Sequence, residues 1–278
     1  MPEKPEVITV ARKLEQKLID RRIKSVDVLY DNIVMYPDVL SFKKNIVDES
    51  IKSITTRGKW IVVELINNYL LFHLRMEGKF FFRNKEDSIN KHEHVIFNLD
   101  NGEQLRFADV RKFAKVMLIP REELYNMKPY TELGYEPWDK DLTPLYLKEK
   151  FKNKNIPVKT ILLDQSIITG IGNIYADEIL FLSRLNPLTK AKDLVDSDLS
   201  NIIENTIKVL DKAIEEGGTT IRSYTSEEGV TGLFQNNLNV HQRAGDKCHT
   251  CSSIILKIRV GGRGTYYCPL CQKEKEED

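Results

Sequence analysis

Cys248-His249-Thr250-Cys251 and Cys268-Pro269-Leu270-Cys271 enclose a sixteen-residue spacer and hold all four cysteines of the 278-residue chain. Two Cys-x-x-Cys pairs at this distance supply four soft thiolates, one pair on each of two tight turns, and the spacer is long enough for a β-hairpin. That is the ligand set of a tetrahedral zinc. Four protein ligands leave no open position, so the metal is structural rather than catalytic. A redox pair and two disulfides are the rivals. The N-terminus lacks the basic region and apolar run of a signal peptide, which puts the chain in the cytoplasm, where disulfides are disfavoured. The spacing suits a ribbon better than an iron–sulfur cluster.

Inside the spacer, Gly261-Gly262-Arg263-Gly264-Thr265 has the composition of a β-turn that presents Arg263 at its tip. An arginine fork there suits bidentate contact with a phosphate; the plainer reading is a solvated side chain. Net charge is only +1, a poor global argument for a nucleic-acid partner. Locally, however, six Lys or Arg stand against the single acid Asp246 between His241 and Lys273. A patch of that kind can hold phosphates on an almost neutral protein. The segment 274–278 reads as an acidic, solvated tail.

Upstream the pattern is helical from about 142 to 216. The spacing predicts helices over Pro144–Phe151, Val158–Leu163, Ile174–Leu182 and Leu199–Glu216, the last ended by Gly217-Gly218. Between the second and third, Gly170-Ile171-Gly172-Asn173 allows a tight turn leading into a helix N-terminus. Such a turn can offer amides to a phosphate, or Asn173 can simply cap the helix. Further upstream, short alternating runs predict strands over Ser25–Tyr30, Trp60–Leu65, Tyr69–Leu74, Phe80–Phe82, His94–Leu99, Gln104–Phe107 and Phe113–Leu118. Residues 5–18 read as a helix whose Val7, Val10, Ala11, Leu14 and Leu18 share a face. The fold class is α+β: a two-layer antiparallel β-sandwich with a flanking helix, a helical domain and a C-terminal zinc hairpin. No stretch approaches the apolar length of a membrane span.

Several polar groups in the first part carry chemistry. Removal of Met1 exposes Pro2 as a secondary amine, which attacks electrophilic carbon near neutral pH, and Glu3 beside it is placed to donate a proton. Lys59, in Arg57-Gly58-Lys59-Trp60, reads as surface charge, phosphate contact or catalytic amine. His73 reads as a partly buried strand histidine, and Met76 as core or rim packing. Asp109-Val110-Arg111-Lys112-Phe113 is a polar loop whose aromatic either wedges between bases or begins the next strand's core.

Together these segments resemble the bacterial formamidopyrimidine-DNA glycosylases over essentially the whole chain. The carrying motifs are Pro2-Glu3-Lys4-Pro5-Glu6-Val7, Arg57-Gly58-Lys59, His73-Leu74-Arg75-Met76-Glu77-Gly78, Asp109 to Phe113, Gly170 to Ala176, Gly217 to Thr220 and the zinc hairpin. The resemblance implies a catalytic β-sandwich over 1–130, a linker at 131–145, a helix-two-turns-helix domain over 146–236 and a zinc-finger hairpin over 237–273. It implies excision of oxidised purines from duplex DNA, with Pro2 as the Schiff-base nucleophile, Glu3 as the general acid and Lys59 as a further catalytic group. Lys59, His73, His92, Asn173 and Arg263 would grip DNA, while Met76, Arg111 and Phe113 fill the gap left in the stack, Arg111 pairing with the estranged cytosine. Glu6, Thr219, Ile221, Arg222 and Tyr224 would line the lesion pocket, and one zinc per chain would sit on Cys248, Cys251, Cys268 and Cys271. The expected partner is double-stranded DNA with an oxidised purine opposite cytosine, bound by a monomer with no membrane association.

The chain departs from the family pattern at Lys4 (usually leucine), read as a change to the surface beside the nucleophile. Arg75 and Ala114 stand where glycine is common, and His241-Gln242 replaces a Tyr-Gly. An endonuclease VIII-type glycosylase for oxidised pyrimidines shares the proline and the hairpin but lacks the trio of Met76, Arg111 and Phe113. A damaged-DNA binder without catalysis needs neither Pro2 nor Glu3. A zinc-ribbon RNA or ribosome-associated protein leaves the first 120 residues without a task.

Overall fold

A computed structural model describes residues 1–219 and 234–274. By internal contacts the described residues form two units: Met1–Thr131 with Thr219, and Glu132–Gly218 with the residues from Phe234 onward.

In the first unit, helix α1 (Lys4–Leu18) precedes nine strands: β1 (Ile23–Val28), β2 (Val34–Tyr36), β3 (Ser53–Arg57), β4 (Trp60–Glu64), β5 (Asn68–His73), β6 (Lys79–Asn84), β7 (Glu93–Leu99), β8 (Glu103–Ala108) and β9 (Lys115–Pro120). They form a four-stranded sheet in the order β1-β7-β8-β6 and a five-stranded sheet in the order β2-β9-β5-β4-β3. Pairing is antiparallel except between β2 and β9. The short helix α2 (Val39–Asn45), β2 and β3 are absent from the reading of the sequence. β2 spans three residues and Ser53-Ile-Thr-Thr-Arg57 has one apolar side chain, so neither has the alternation that marks a strand.

The sheets meet through aromatic rings. Phe72 on β5 lies edge-on to Phe80, Phe97 and Phe107 of the opposing sheet at centroid distances of 4.9, 5.8 and 5.1 Å. Edge-to-face pairs at such distances add to the burial of apolar area. The stripe of α1 closes the same core, with Val7, Val10, Ala11, Leu14 and Leu18 all buried. Lys4, Pro5 and Glu6 are buried too, so the first turn of α1 is enclosed on all sides.

The second unit contains α3 (Pro144–Phe151), α4 (Val158–Leu162), α5 (Asn173–Leu182), α6 (Asp196–Glu215) and the hairpin β10 (Leu256–Val260) and β11 (Arg263–Tyr267). Thr143 caps α3 by accepting from the Tyr146 amide at 3.1 Å. On α6 the buried face is Leu199, Ile202, Thr206, Val209, Leu210 and Ala213. Gly217 and Gly218 follow it at φ of 75° and 82°, a left-handed exit that glycine takes without a Cβ penalty.

The segment around 131–145, which reads as a connector, is bound into this second unit. The Gly134 amide donates to Gln165 O, Tyr135 N to Ile167 O, and Trp138 Nε1 to Asp211 at 2.9 Å. A β-carbon on Gly134 would stand 2.3 Å from Ile167 O, so the close approach requires glycine.

Candidate active site and nucleic-acid interface

The N-terminal segment is built around Glu6. Its Oε2 accepts from the Glu3 amide at 2.8 Å, and its Oε1 accepts from the Thr219 amide at 2.8 Å and the Thr219 hydroxyl at 3.1 Å. Both carboxylate oxygens are thus engaged, and they fix the direction in which Met1-Pro2-Glu3 enters the helix. Glu3 is only 3 % exposed. Burial, the largest influence, lowers the pKa of the Met1 α-amine below its usual 8.0; Lys59 pushes the same way, while Glu3 and Glu6 oppose. Pro2, whose nitrogen becomes the terminal amine once Met1 is removed, is itself buried in the same segment.

Lys59 occupies a two-residue turn between β3 and β4, where Arg57 pairs with Trp60 and Gly58 has φ 54°. A turn lysine normally points into water, yet this one is 7 % exposed. The reading as surface charge is therefore wrong. Lys4 is the second correction. It lies 3 % exposed rather than on the surface, its Nζ donating to Thr56 Oγ1 at 3.0 Å and so fastening the start of α1 to β3 beside the Lys59 turn.

His73 ends β5 opposite Trp60, their rings edge-on at 4.9 Å. Its pKa is lowered to about 3, first by burial and then by the charges of Arg75 and Lys59. The imidazole is therefore neutral at physiological pH. Its Nδ1 accepts from the Arg75 amide at 3.0 Å, which leaves the ring proton on Nε2. Met76 follows in the β5–β6 loop and is 37 % exposed, which sets aside core packing.

The second loop hangs on a carboxylate to which no role was given from the sequence. Asp109 is buried and accepts from three backbone amides: Arg111 N at 3.0 Å to Oδ1, and Phe113 N and Ala114 N at 2.7 Å to Oδ2. This aspartate-anchored turn holds Phe113 50 % exposed with Arg111 over its ring at 4.9 Å. The core position belongs to Ala114, so Phe113 does not start the core of β9. The Asp109 amide donates to His92 O, which brings His92 beside the same loop. Fully buried Arg106 holds the preceding stretch by donating to Glu93 Oε2 and to the carbonyls of Asn84, Asp87 and Ser88. Nothing in the sequence singles out Arg106, and the Asp109-to-Phe113 motif gives no sign that the aspartate's carboxylate anchors the turn.

In the second unit, the side chain of Gln165 staples the turn before α5, accepting from Gly170 N and donating to the carbonyls of Leu163 and Ile171. Gly172, not Asn173, occupies the N-cap; Asn173 is the first helical residue. Its Nδ2 donates to Gly264 O at 2.9 Å, joining α5 to the hairpin, and its Oδ1 is buried with no hydrogen-bond partner among the described residues. The hairpin tip is Gly261-Gly262, both at positive φ, and Arg263 is the exposed first residue of β11 rather than the tip. A two-residue hairpin loop with both φ positive favours glycine, and Gly261-Gly262 fill it, which leaves the arginine one place along.

Two neighbouring acids of α5 hold the approach to the hairpin. Glu178 accepts from the amides of Asn239, Val240 and His241 at 2.8–2.9 Å. Buried Asp177 bonds Lys159 Nζ on one oxygen and His241 Nδ1, at 2.6 Å, on the other. The departure at His241 is thus a buried partner of α5, and Gln242 adopts φ 61°, where glycine is at home.

The four cysteine sulfurs lie within 4.8 Å of one another. Separations of 3.4 Å between Cys251 and Cys268 and 3.9 Å between Cys248 and Cys271 match the edge of a zinc–thiolate tetrahedron, about 3.8 Å. Gln272 ties the second knuckle to the segment that follows α5 by accepting from Cys268 N and donating to Leu185 O, both at 2.9 Å. The thiolates therefore fit one zinc ion, whose chemistry is to hold the hairpin.

A turn-led helix bound to a cysteine-ligated hairpin, together with a sandwich that encloses its own N-terminus, defines a zinc-finger, helix-two-turns-helix DNA-binding protein. Residues 1–116 match the formamidopyrimidine-DNA glycosylase N-terminal domain, 133–225 the H2TH domain of the same enzymes, and 245–273 the zinc finger found in FPG and IleRS. A formamidopyrimidine-DNA glycosylase of Bacillus cereus is 43 % identical, over 98 % of this chain and 99 % of its own. A Lactococcus lactis FPG variant solved with Fapy-dG-containing DNA superposes with a TM-score of 0.92 at 35 % identity, covering 98 % of this chain and all of that one. The Lactococcus lactis enzyme solved with abasic-site DNA gives 0.91 at 36 %, with the same coverage. The chain belongs to the formamidopyrimidine-DNA glycosylase family. Ile221, Arg222 and Tyr224, assigned to the lesion pocket, lie outside the described residues. Among the described residues no helix is long and apolar enough to cross a membrane.

Proposed function

We propose that this protein is a DNA glycosylase and abasic-site lyase that removes oxidised purines, 8-oxoguanine and formamidopyrimidines, from duplex DNA. The supporting observation is the enclosed N-terminus: Pro2 and Glu3 are both buried, and Glu6 fixes the segment that carries them by accepting from the Glu3 amide. Relatives solved with Fapy-dG and abasic-site DNA supply the substrate class.

With Met1 removed, the Pro2 nitrogen attacks C1′ of a nucleotide turned out of the stack, and the bond from C1′ to the damaged base breaks, the base leaving with the electron pair and taking up the proton that the amine gives up. Glu3 donates its proton to the sugar ring oxygen, the ring opens, and nitrogen and C1′ are left as an iminium. This electron sink acidifies the hydrogen on C2′. Loss of that proton expels the 3′ phosphate, and a second elimination expels the 5′ phosphate; water then releases the sugar remnant from Pro2. Lys59 and neutral His73 hold the adjoining phosphates, the latter through its Nε2 proton, and His92, Asn173 and Arg263 hold others. Turning a nucleotide out costs a few kcal/mol, on the order of one stacking and pairing step. Met76, Arg111 and exposed Phe113 offset that cost by occupying the gap, Arg111 facing the orphaned cytosine. That trio favours the purine reading over the pyrimidine one. The enzyme works as a monomer in the bacterial cytosol.

Borohydride reduces an imine to a stable amine, so incubation with lesion duplex is expected to yield a covalent protein–DNA adduct on Pro2. Glu3→Gln should slow base excision about 10²–10⁴-fold with binding retained. Tight binding with no adduct, from protein whose intact mass shows Met1 removed, overturns the lyase assignment.

A further inference from the structure

We propose that Arg75 is a phosphate-binding residue whose guanidinium joins Lys59 and His73 on a single DNA phosphate, beside the loop that carries Met76. This rests on the function proposed above and adds to it a contact that the sequence reading did not assign.

Arg75 has φ 52°, the left-handed region that residues with a β-carbon rarely adopt. Its side chain is exposed, and among the described residues it has no hydrogen-bond or ion-pair partner. Packing therefore does not explain an arginine at a position whose backbone suits glycine. A cation held at a cost in backbone strain, with no return in burial, is the pattern of a residue kept for binding.

The surroundings specify the ligand. The Arg75 amide donates to His73 Nδ1, so the ring presents Nε2–H as its donor. Lys59 immediately precedes Trp60, the cross-strand partner of His73, and Arg75 bonds the His73 ring through its amide, so both cations stand at positions next to the imidazole; their charges add to burial in lowering its pKa. Three groups thus converge from the β3–β4 turn, the end of β5 and the loop after it: two cations and one neutral donor. His73 supplies direction and the cations supply charge. A phosphodiester, anionic and with two unesterified oxygens, matches that set, and guanidinium can engage both oxygens at once. Because Met76 is the next residue, the phosphate lies where this loop meets the duplex.

The test uses zinc-loaded, full-length protein and a duplex containing a tetrahydrofuran abasic-site analogue, titrated between about 50 and about 200 mM salt. Arg75→Gly is expected to reduce the slope of log K against log salt by about 0.9 and to weaken binding several-fold. Tm should hold or rise, because glycine accepts the left-handed conformation. Arg75→Gln should lose the same slope while keeping the strained backbone, and Arg75→Lys should retain it. An unchanged slope in Arg75→Gly overturns the proposal. So does weaker binding at unchanged slope with a lower Tm, which is what a scaffold role would give. If the wild type is trapped by borohydride and Arg75→Gly behaves like it, this inference falls alone. If the wild type does not bind the duplex, both fall.

Discussion

The four cysteines of the hairpin lie within 24 positions of one another, whereas Pro2, Glu3, Lys59, His73 and Asp109 are drawn from across the first 109 residues. The hairpin is specified by covalent spacing and by the affinity of thiolates for a metal; every ligand is local, and the ion supplies the energy. The N-terminal cluster has no such glue. Its charged groups are held by burial and hydrogen bonds across the sandwich: Lys4 to Thr56, Glu6 to Glu3 and Thr219, Asp109 to three amides. A short-range motif thus tolerates change around it, while a long-range cluster depends on the whole core.

The largest test of that contrast is removal of the metal. Cys268→Ser or a strong chelator should abolish zinc retention and melt the hairpin, since structural zinc contributes on the order of 10 kcal/mol to folding of such modules. Metal analysis and amide exchange of β10 and β11 read the result. Full zinc content in Cys268→Ser would break the distinction. Next comes the junction of α5 with the hairpin approach. Asp177→Ala leaves Lys159 buried without its carboxylate, and a cost of about 3–5 kcal/mol is expected in urea unfolding. A cost below about 1 kcal/mol would show that the hairpin approach depends on Glu178 and zinc alone.

Asp109→Ala removes the acceptor of three amides and should cost about 2–3 kcal/mol, with affinity for abasic-site duplex falling as Arg111 and Phe113 lose their pose. Affinity unchanged in a destabilised variant would detach the loop's geometry from binding. The effect that is smallest at neutral pH, and grows only on acidification, is the titration of His73. Its folded pKa of about 3 lies below the ordinary value of 6.5, so between those values the unfolded chain takes up a proton that the folded chain refuses. Stability should fall as pH drops through that window, by at most about 1.4 kcal/mol per pH unit for one proton. His73→Gln should flatten this slope; an identical slope would show that His73 is protonated in the fold.

Much of the architecture was legible because it rests on periodicity. The 3.6-residue stripe of α1, the glycine exit of α6 and the alternation of the longer strands each reflect one face turned to a core. The short or polar elements β2, β3 and α2 have no such face, and tertiary pairing alone makes them. The chemistry divides in the same way. Residue types and motif order marked Pro2, Glu3, Lys59, Arg111 and Phe113. What could not be read is which polar groups go inside. Lys4 reads as surface and is buried, Asn173 reads as a cap and instead reaches Gly264, and nothing local marks the carboxylates of Asp109, Asp177 and Glu178 or the guanidinium of Arg106 as the groups that hold the loops.

The sequence by itself determined the metal site and the family, because these depend on residue identity and near spacing, and it is the ground on which Pro2 and Glu3 are proposed as nucleophile and acid. Only the tertiary structure decided that Lys59 and Glu3 are enclosed, that His73 stays neutral and that Arg75 sits in a left-handed turn. Burial and electrostatic environment arise from segments far apart in the chain, and no local pattern encodes them.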